Sequence, residues 1–351
     1  MSAPALSPVG PDHVLCPEFV SRRPVPENLE ESDRELFSHE LTRVIPPSHL
    51  LDLENVNISP HGILFRNGRV RPETFAHERE AANWQSMKKR AKLLVAGGVH
   101  APRNTIEEDA FWVTDSQSSE FFHWMADALP RLLTVKDRLP GATLLLPEAY
   151  AERAYIRESL ASFDIGRIRF VDQMTRCRRL LIPTSVGSSG NYNDELMQRL
   201  RAHLAAHFVK FDAPVEGGRF YISRARAPKR KLHNETEAVE VLEGHDFRPV
   251  CFEDHPFSEQ LAIAMKARHF VSNHGAGLTN MLLMPAGGRV LELRKEDDAH
   301  NNCYFALAAA LGLRYFYQLC PARVPDEDAF SADLIVNPAA LDKTLRIMLD
   351  S

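Results

Sequence analysis

The stretch Val271-Ser272-Asn273-His274-Gly275-Ala276-Gly277-Leu278-Thr279-Asn280 constrains this chain more than any other. His269 to Ser272 reads as a short buried strand after the helix-like run Ser258 to Arg268, and Leu278 to Met284 has helical character up to Pro285. A strand therefore runs into a glycine-punctuated turn that opens a helix. Gly275 and Gly277 leave room for a ligand to approach the backbone, and the first helical N–H groups lack intrachain acceptors. Such a terminus attracts anions, phosphate above all. An ordinary tight turn would use the same glycines, but His274 and Asn280 beside them favour a ligand site.

The rest of the second half alternates strand and helix. Arg219 to Ser223 is a strand, followed by a basic loop, Arg224 to Lys231, and a helix to Leu242 with Asn234 and Glu237 as a capping box. Phe247 to Phe252, Arg289 to Leu293 and Tyr315 to Leu319 are further strands, and Asn301 to Leu311 is a helix closed by Gly312. Strict alternation means a parallel sheet with helices on both faces, whose ligands bind beyond the carboxyl ends of the strands. Arg224, His274 and Glu292 fall at or near such ends. Arg224, Arg226 or Arg230 would neutralise a pyrophosphate, and Glu292 would accept from ribose hydroxyls. A solvated turn and an exposed strand end are the plainer alternatives. Neither a G-x-G-x-x-G fingerprint nor a Walker loop is present, so hydride transfer and ATP hydrolysis have no positive support.

In the first half the informative stretch is Ser118 to Leu133. Its serines can cap a helix, and Glu120, His123, Asp127 and Arg131 follow at steps of three, four and four, one polar stripe on an otherwise apolar helix. Pro130 removes one backbone hydrogen bond and is expected to kink it. A buried helix with such a stripe must meet a cleft, a ligand or partner charges. The alternative is a solvent-facing stripe with an Asp127–Arg131 surface pair.

Around that helix, Gly62 to Val70 predicts a hairpin turning at Asn67-Gly68. Lys92 to Val99, Ala110 to Val113, Thr143 to Leu146, Ile168 to Val171 and Arg179 to Ile182 are strand candidates, and Glu148 to Ser162 and Asn193 to Phe208 are helices. Residues 1 to about 35, rich in proline and acidic side chains, read as an extended arm. Pro214, Gly217 and Gly218 mark a linker, giving domains 1–212 and 213–330, with a last helix in 331–351 that could pack back on the first domain. His203 and His207 stand four apart but read as a solvated helix face, so no metal site is expected.

A net charge of -5 gives no reason to expect nucleic acid, and five scattered cysteines without a C-x-x-C pair fit reduced thiols in a cytoplasm. With no apolar run of about 20 residues and no basic, hydrophobic start, neither a membrane span nor a secretion signal is expected.

Phe122-His123-Trp124-Met125-Ala126-Asp127-Ala128-Leu129-Pro130-Arg131-Leu132, Tyr221-Ile222-Ser223-Arg224, Phe257-Ser258-Glu259-Gln260, Asn273 to Asn280 with Met284-Pro285, and Val290-Leu291-Glu292-Leu293 together resemble the glycosyltransferase family 61 domain. Order and spacing agree from about Ser118 to Leu293, roughly half the chain.

The resemblance implies an α/β fold of GT-B architecture, two Rossmann-like domains facing each other across a cleft, here with a β-rich N-terminal extension. It implies an inverting transfer of sugar from a nucleotide donor, typically a UDP-sugar, without an essential metal or other cofactor. Bacterial members build capsule or exopolysaccharide. Arg224, His274, Gly275, Ala276, Gly277, Asn280 and Glu292 would hold the nucleotide, with Arg230, Asn273 and Leu278 beside them. Expected partners are the nucleotide sugar and a glycan or lipid-linked glycan acceptor, so peripheral membrane attachment stays open.

Inversion needs a base for the acceptor hydroxyl. The Glu120–His123–Asp127 stripe is the convincing source, with Asp127 favoured as base, His123 in support and the reverse assignment open. A UDP-sugar epimerase of GT-B type and a non-catalytic nucleotide-sugar-binding subunit are the alternatives.

Overall fold

The structure, a computed structural model, describes residues 13–77, 80–82 and 102–351. The strand expected over 92–99 and the first part of the N-terminal arm lie outside them. The chain forms two compact units, one of Met1–Phe19 with Ile45–Ser189, the other of Val20–Val44 with Gly190–Ser351.

The strands in chain order are β1 (Val14–Cys16), β2 (Phe19–Arg22), β3 (Thr42–Ile45), β4 (Ser48–Ile58), β5 (Leu64–Arg66), β6 (Arg69–Val70), β7 (Asn104–Ile106), β8 (Ala110–Phe111), β9 (Thr143–Pro147), β10 (Ile168–Val171) and β11 (Thr175–Pro183). All but β2 and β3 build the first unit's sheet, in the order β10-β9-β8-β11-β4-β5-β6, with β1 on β4 and β7 on β11. From β10 to β11 neighbours run parallel, and from β11 through β6 they run antiparallel. The hinge between the two halves is the long β11–β4 ladder, from Thr175 opposite Ile58 to Pro183 opposite Leu50. The N-terminal β region is thus the continuation of the parallel sheet rather than an appendage to it. Its hairpin forms where expected. Asn67 and Gly68 both have positive φ (50° and 72°), the conformation a two-residue turn between twisted strands requires.

The arm is likewise not free chain. From Val14 it enters the sheet as β1, and Val20–Val44 then forms a strap on the second unit. Asn28 exchanges hydrogen bonds with the backbone of Tyr317 (2.7 and 3.1 Å), and Glu27 pairs with Arg314 at 2.7 Å. Phe37, fully buried, packs against Phe305, Tyr315 and Tyr317.

The second unit's sheet adds β12 (Arg219–Ile222), β13 (Arg248–Val250), β14 (His269–Asn273), β15 (Arg289–Lys295) and β16 (Arg314–Cys320). All are parallel, in the order β13-β12-β14-β15-β16. The first strand lies inside the second, so the winding reverses between β12 and β14, and ligands of such sheets bind at that crevice. Pro249 can sit in β13 because β13 is an edge.

Helix Asp194–Phe208, placed by the sequence in the N-terminal domain, falls in the second unit, capped by the Asn193 side chain accepting from Leu196 N–H at 3.0 Å. The last helix, Pro338–Asp350, packs on its own unit's Glu235–Gly244 helix and β16, where a sequence reading left it free to join the other domain. Leu341, Leu345 and Met348, on one helical face, are fully buried there, each worth about 1.5–3 kcal/mol.

Candidate active site

In the first unit the Ser118–Leu133 stretch folds as one helix whose middle is widened. Phe121–His123 is α-helical, Trp124–Ala128 makes a π turn, and Leu129–Val135 is α-helical again. Pro130 lacks the N–H that would continue the ladder, so the expected disturbance takes the form of a wide turn just before it. Single π turns recur at functional sites.

This turn carries Asp127, with only 9% of its surface exposed. His123 Nδ1 lies 2.8 Å from Asp127 Oδ2, and Ser189 Oγ donates to the same oxygen at 2.8 Å while standing 3.1 Å from the imidazole. A carboxylate, an imidazole and a hydroxyl thus converge on one point. Ser189 was not legible in the sequence, since nothing local links it to a helix more than sixty residues away.

The remaining stripe positions separate. Glu120 stands exposed at the helix start, contributing its backbone as the cap, and does not join the trio. The expected serine cap is also absent. Ser118 instead closes a turn with Asp115, donating to Oδ1 at 2.9 Å and accepting Asp115 N–H at 3.0 Å. Arg131 turns from Asp127 to Asp115, forming a buried ion pair at 2.6 Å. Burial pushes the Asp115 carboxyl up, but the Arg131 charge and hydrogen bonds from Arg131, Gln117 and Ser118 outweigh it and hold the pKa below the usual carboxylate range.

In the second unit β14 ends at Asn273, and the glycine turn leads, as expected, into a helix, Ala276–Leu283, which is of the 3-10 type and starts two residues earlier than the sequence pattern places it. Its first closing bond runs from Leu278 N–H to Gly275 O at 2.9 Å, so the Ala276 and Gly277 amides precede the ladder. The glycines have specific neighbours. Gly275 is extended, and a Cβ there would land on the Arg224 guanidinium, while one on Gly277 would stand 3.1 Å from Ile222 Cγ2. The room they leave is filled from β12 and the loop after it, so the close approach is by protein rather than directly by ligand.

Arg224, from that loop, therefore lies across the turn at the β12/β14 reversal. Its guanidinium donates to the carbonyls of Arg230 and Lys229, both at 3.1 Å, and among the described residues no carboxylate forms an ion pair with it. Burial, then the charge of Arg230, lowers its pKa, and nearby Tyr304, Glu253 and Tyr221 offset this only in part. Arg226 points to Asp254 instead. Arg230 has a positive φ of 58° and a buried Nε with no hydrogen-bond partner among the described residues. Asn273 donates to the Arg230 carbonyl and Asn280 to that of Gly277 (3.2 Å), each keeping a buried Oδ1 with no partner among the described residues. Leu278 is core.

Glu292 departs from its expected role. It is fully buried on β15, with Oε1 on His274 Nδ1 and Oε2 accepting from Tyr315 Oη at 2.5 Å, so ribose hydroxyls have no path to it. Burial would raise its pKa, but His274, Arg294 and Tyr315 together bring it below the normal value. The His274 ring stands edge-on to Tyr304, 4.9 Å between centroids. Among the described residues no group of three His, Cys, Asp or Glu side chains is arranged to hold a metal ion, and no helix is long and apolar enough to cross a membrane.

His123, Asp127, Ser189, Arg224 and His274 fall in a single region of similarity to known proteins. Residues 121–291 match the glycosyltransferase 61 family. The EGF domain-specific O-linked N-acetylglucosamine transferase of Drosophila melanogaster is 39% identical over 98 residues, 27% of this chain and 18% of its own length. The protein of the same name from Gallus gallus is 29% identical over 167 residues (44% of this chain, 31% of its own), and that from Rattus norvegicus 29% over 180 (48% and 34%). This chain thus spans at most about a third of the length of these relatives. Together they support a family 61 glycosyltransferase. The family 61 segment begins at Phe121, at the head of the His123–Asp127 helix, and ends at Leu291, one residue before Glu292.

Proposed function

We propose that this chain moves a sugar, with inversion, from a nucleotide sugar, taken as a UDP-sugar, to a hydroxyl of a glycan acceptor. The observation that carries the reading is Arg224, a guanidinium held by two backbone carbonyls and in no ion pair among the described residues, laid across the glycine turn where the parallel sheet reverses its winding. A diphosphate supplies the missing counter-charge, with the Ala276 and Gly277 amides and His274 as further contacts. In this reading the second unit carries the donor-binding residues, and the first carries the candidate base. Asp127 takes the acceptor proton as that oxygen attacks the anomeric carbon, His123 orients the carboxylate, and the bond to the diphosphate breaks with its charge met by Arg224. Asp127 and His123 exchange roles only if the imidazole turns its other nitrogen to the acceptor.

Metal independence, the GT-B architecture, a place in bacterial capsule or exopolysaccharide assembly, a cytoplasmic location and peripheral attachment to a membrane belong to the same proposal. The relatives' names support a second acceptor class, a protein side-chain hydroxyl, with N-acetylglucosamine as the sugar.

The test is transfer from radiolabelled UDP-sugars in the absence of divalent metal, with UDP affinity measured in parallel. Asp127→Asn should lower turnover by a factor of about 100 or more and leave UDP affinity within about twofold. Intact turnover removes Asp127 from the role. Epimerisation of the donor with no acceptor present would point to an epimerase.

A further inference from the structure

His274 is usually the kind of residue read as a simple ligand contact, yet its surroundings fix it from behind. Its Nδ1 meets Oε1 of Glu292, a carboxylate with no exposed surface. The other carboxylate oxygen is occupied by Tyr315 Oη, which also stands 3.5 Å from Arg294 Nη1. Arg294, 1% exposed, donates to Asn302 Oδ1 at 2.9 Å and to the Asp298 carbonyl. Phe37 of the strap closes this group. Its ring lies 5.0 Å from the Arg294 guanidinium carbon and edge-on to Tyr315, while Asn302 Nδ2 donates to the Leu36 carbonyl at 2.9 Å. Carboxylate and guanidinium are thereby held near each other in a dry interior, where such charges need partners and strongly orient what they touch.

We propose that Glu292 is a positioning residue for the donor diphosphate, holding His274 by its Nδ1–H so that Nε2 is the nitrogen presented to the phosphates. The strap Val20–Val44 belongs to this device because Phe37 and the Leu36 carbonyl keep the carboxylate's neighbours dry and in place. A ring that donates from both nitrogens carries a positive charge, and Glu292 compensates it from a position the nucleotide cannot reach. This explains a mid-strand glutamate with both oxygens turned inward. It rests on the nucleotide site proposed above.

A double-mutant cycle on UDP affinity, read by calorimetry on the full chain, separates action through His274 from general damage. Glu292→Gln keeps an acceptor near Nδ1 but removes the charge, and should weaken UDP binding about tenfold, the difference between a charged and a neutral hydrogen bond. In a His274→Ala background the same substitution should change affinity less than about twofold. Tyr315→Phe, a gentler change, should weaken UDP binding by a smaller factor. 15N-histidine NMR on the free wild-type protein should show His274 protonated at Nδ1, with that signal altered in Glu292→Gln. Wild-type UDP binding with both Glu292→Gln and Tyr315→Phe unchanged overturns this inference alone, as does a Glu292→Gln effect that persists undiminished without His274. Failure of the wild type to bind UDP overturns the nucleotide site itself.

Discussion

Asp115→Asn isolates the charge pair that fixes the widened helix. Asp115 and Arg131 side chains are 3% and 10% exposed, and they meet at 2.6 Å. Removing one partner of a buried pair costs about 3–5 kcal/mol, because the other charge stays behind in a dry site. The asparagine carbonyl retains a neutral hydrogen bond to the guanidinium worth about 1 kcal/mol, so the net loss should be about 2–4 kcal/mol at neutral pH. The sign with pH follows from the depressed Asp115 pKa. Its contribution is fully present above the unfolded-state pKa and is lost as pH falls through the lower folded-state value. The wild type and Asp115→Asn should therefore converge in stability at strongly acidic pH. Tryptophan fluorescence during urea denaturation is the assay, since Trp84, Trp112 and Trp124 all fall in the sequence of the first unit. A loss below about 1 kcal/mol at neutral pH would refute the reasoning.

Three further outcomes follow from the side-chain clusters of the two units. Ser189→Ala should lower turnover about tenfold by removing the hydroxyl from Asp127 Oδ2, with the donor KM unchanged in initial-rate kinetics. Gly275→Ala should displace the Arg224 guanidinium from the turn and weaken UDP binding about tenfold by calorimetry, leaving the first unit's fluorescence-detected stability as it was. Shortening Arg226 to alanine should leave UDP affinity within about twofold, because that guanidinium is spent on exposed Asp254.

The sequence reads best where local pattern and tertiary demand coincide. The parallel sheet of the second unit was legible because each strand there is a short apolar run between a helix and a turn, and the 269–284 stretch carries its own punctuation. The first unit was harder. Nothing in Leu50–Val70 announces that β4 will pair with β11 and carry the sheet from antiparallel to parallel, because ladder partners over a hundred residues apart leave no local signal. The site shows the same division. His123 and Asp127 share a helical face and were visible as a pair. Ser189 and Asp115 reach that helix through the fold, and Arg131, whose spacing offers a surface pair with Asp127 only as the alternative to a cleft, meets buried Asp115. Glu292 was read as a ligand contact from its strand-end position. Its surroundings include Tyr315 and the strap Val20–Val44, of which composition marks only the part up to about residue 35 as an extended arm.

The most direct test of the account is a calorimetric titration of UDP into the wild type and into Arg224→Ala, both without divalent metal. Saturable binding to the wild type and at least about tenfold weaker binding to the variant are expected. Equal affinity in the two proteins, or no binding to the wild type, would contradict this expectation.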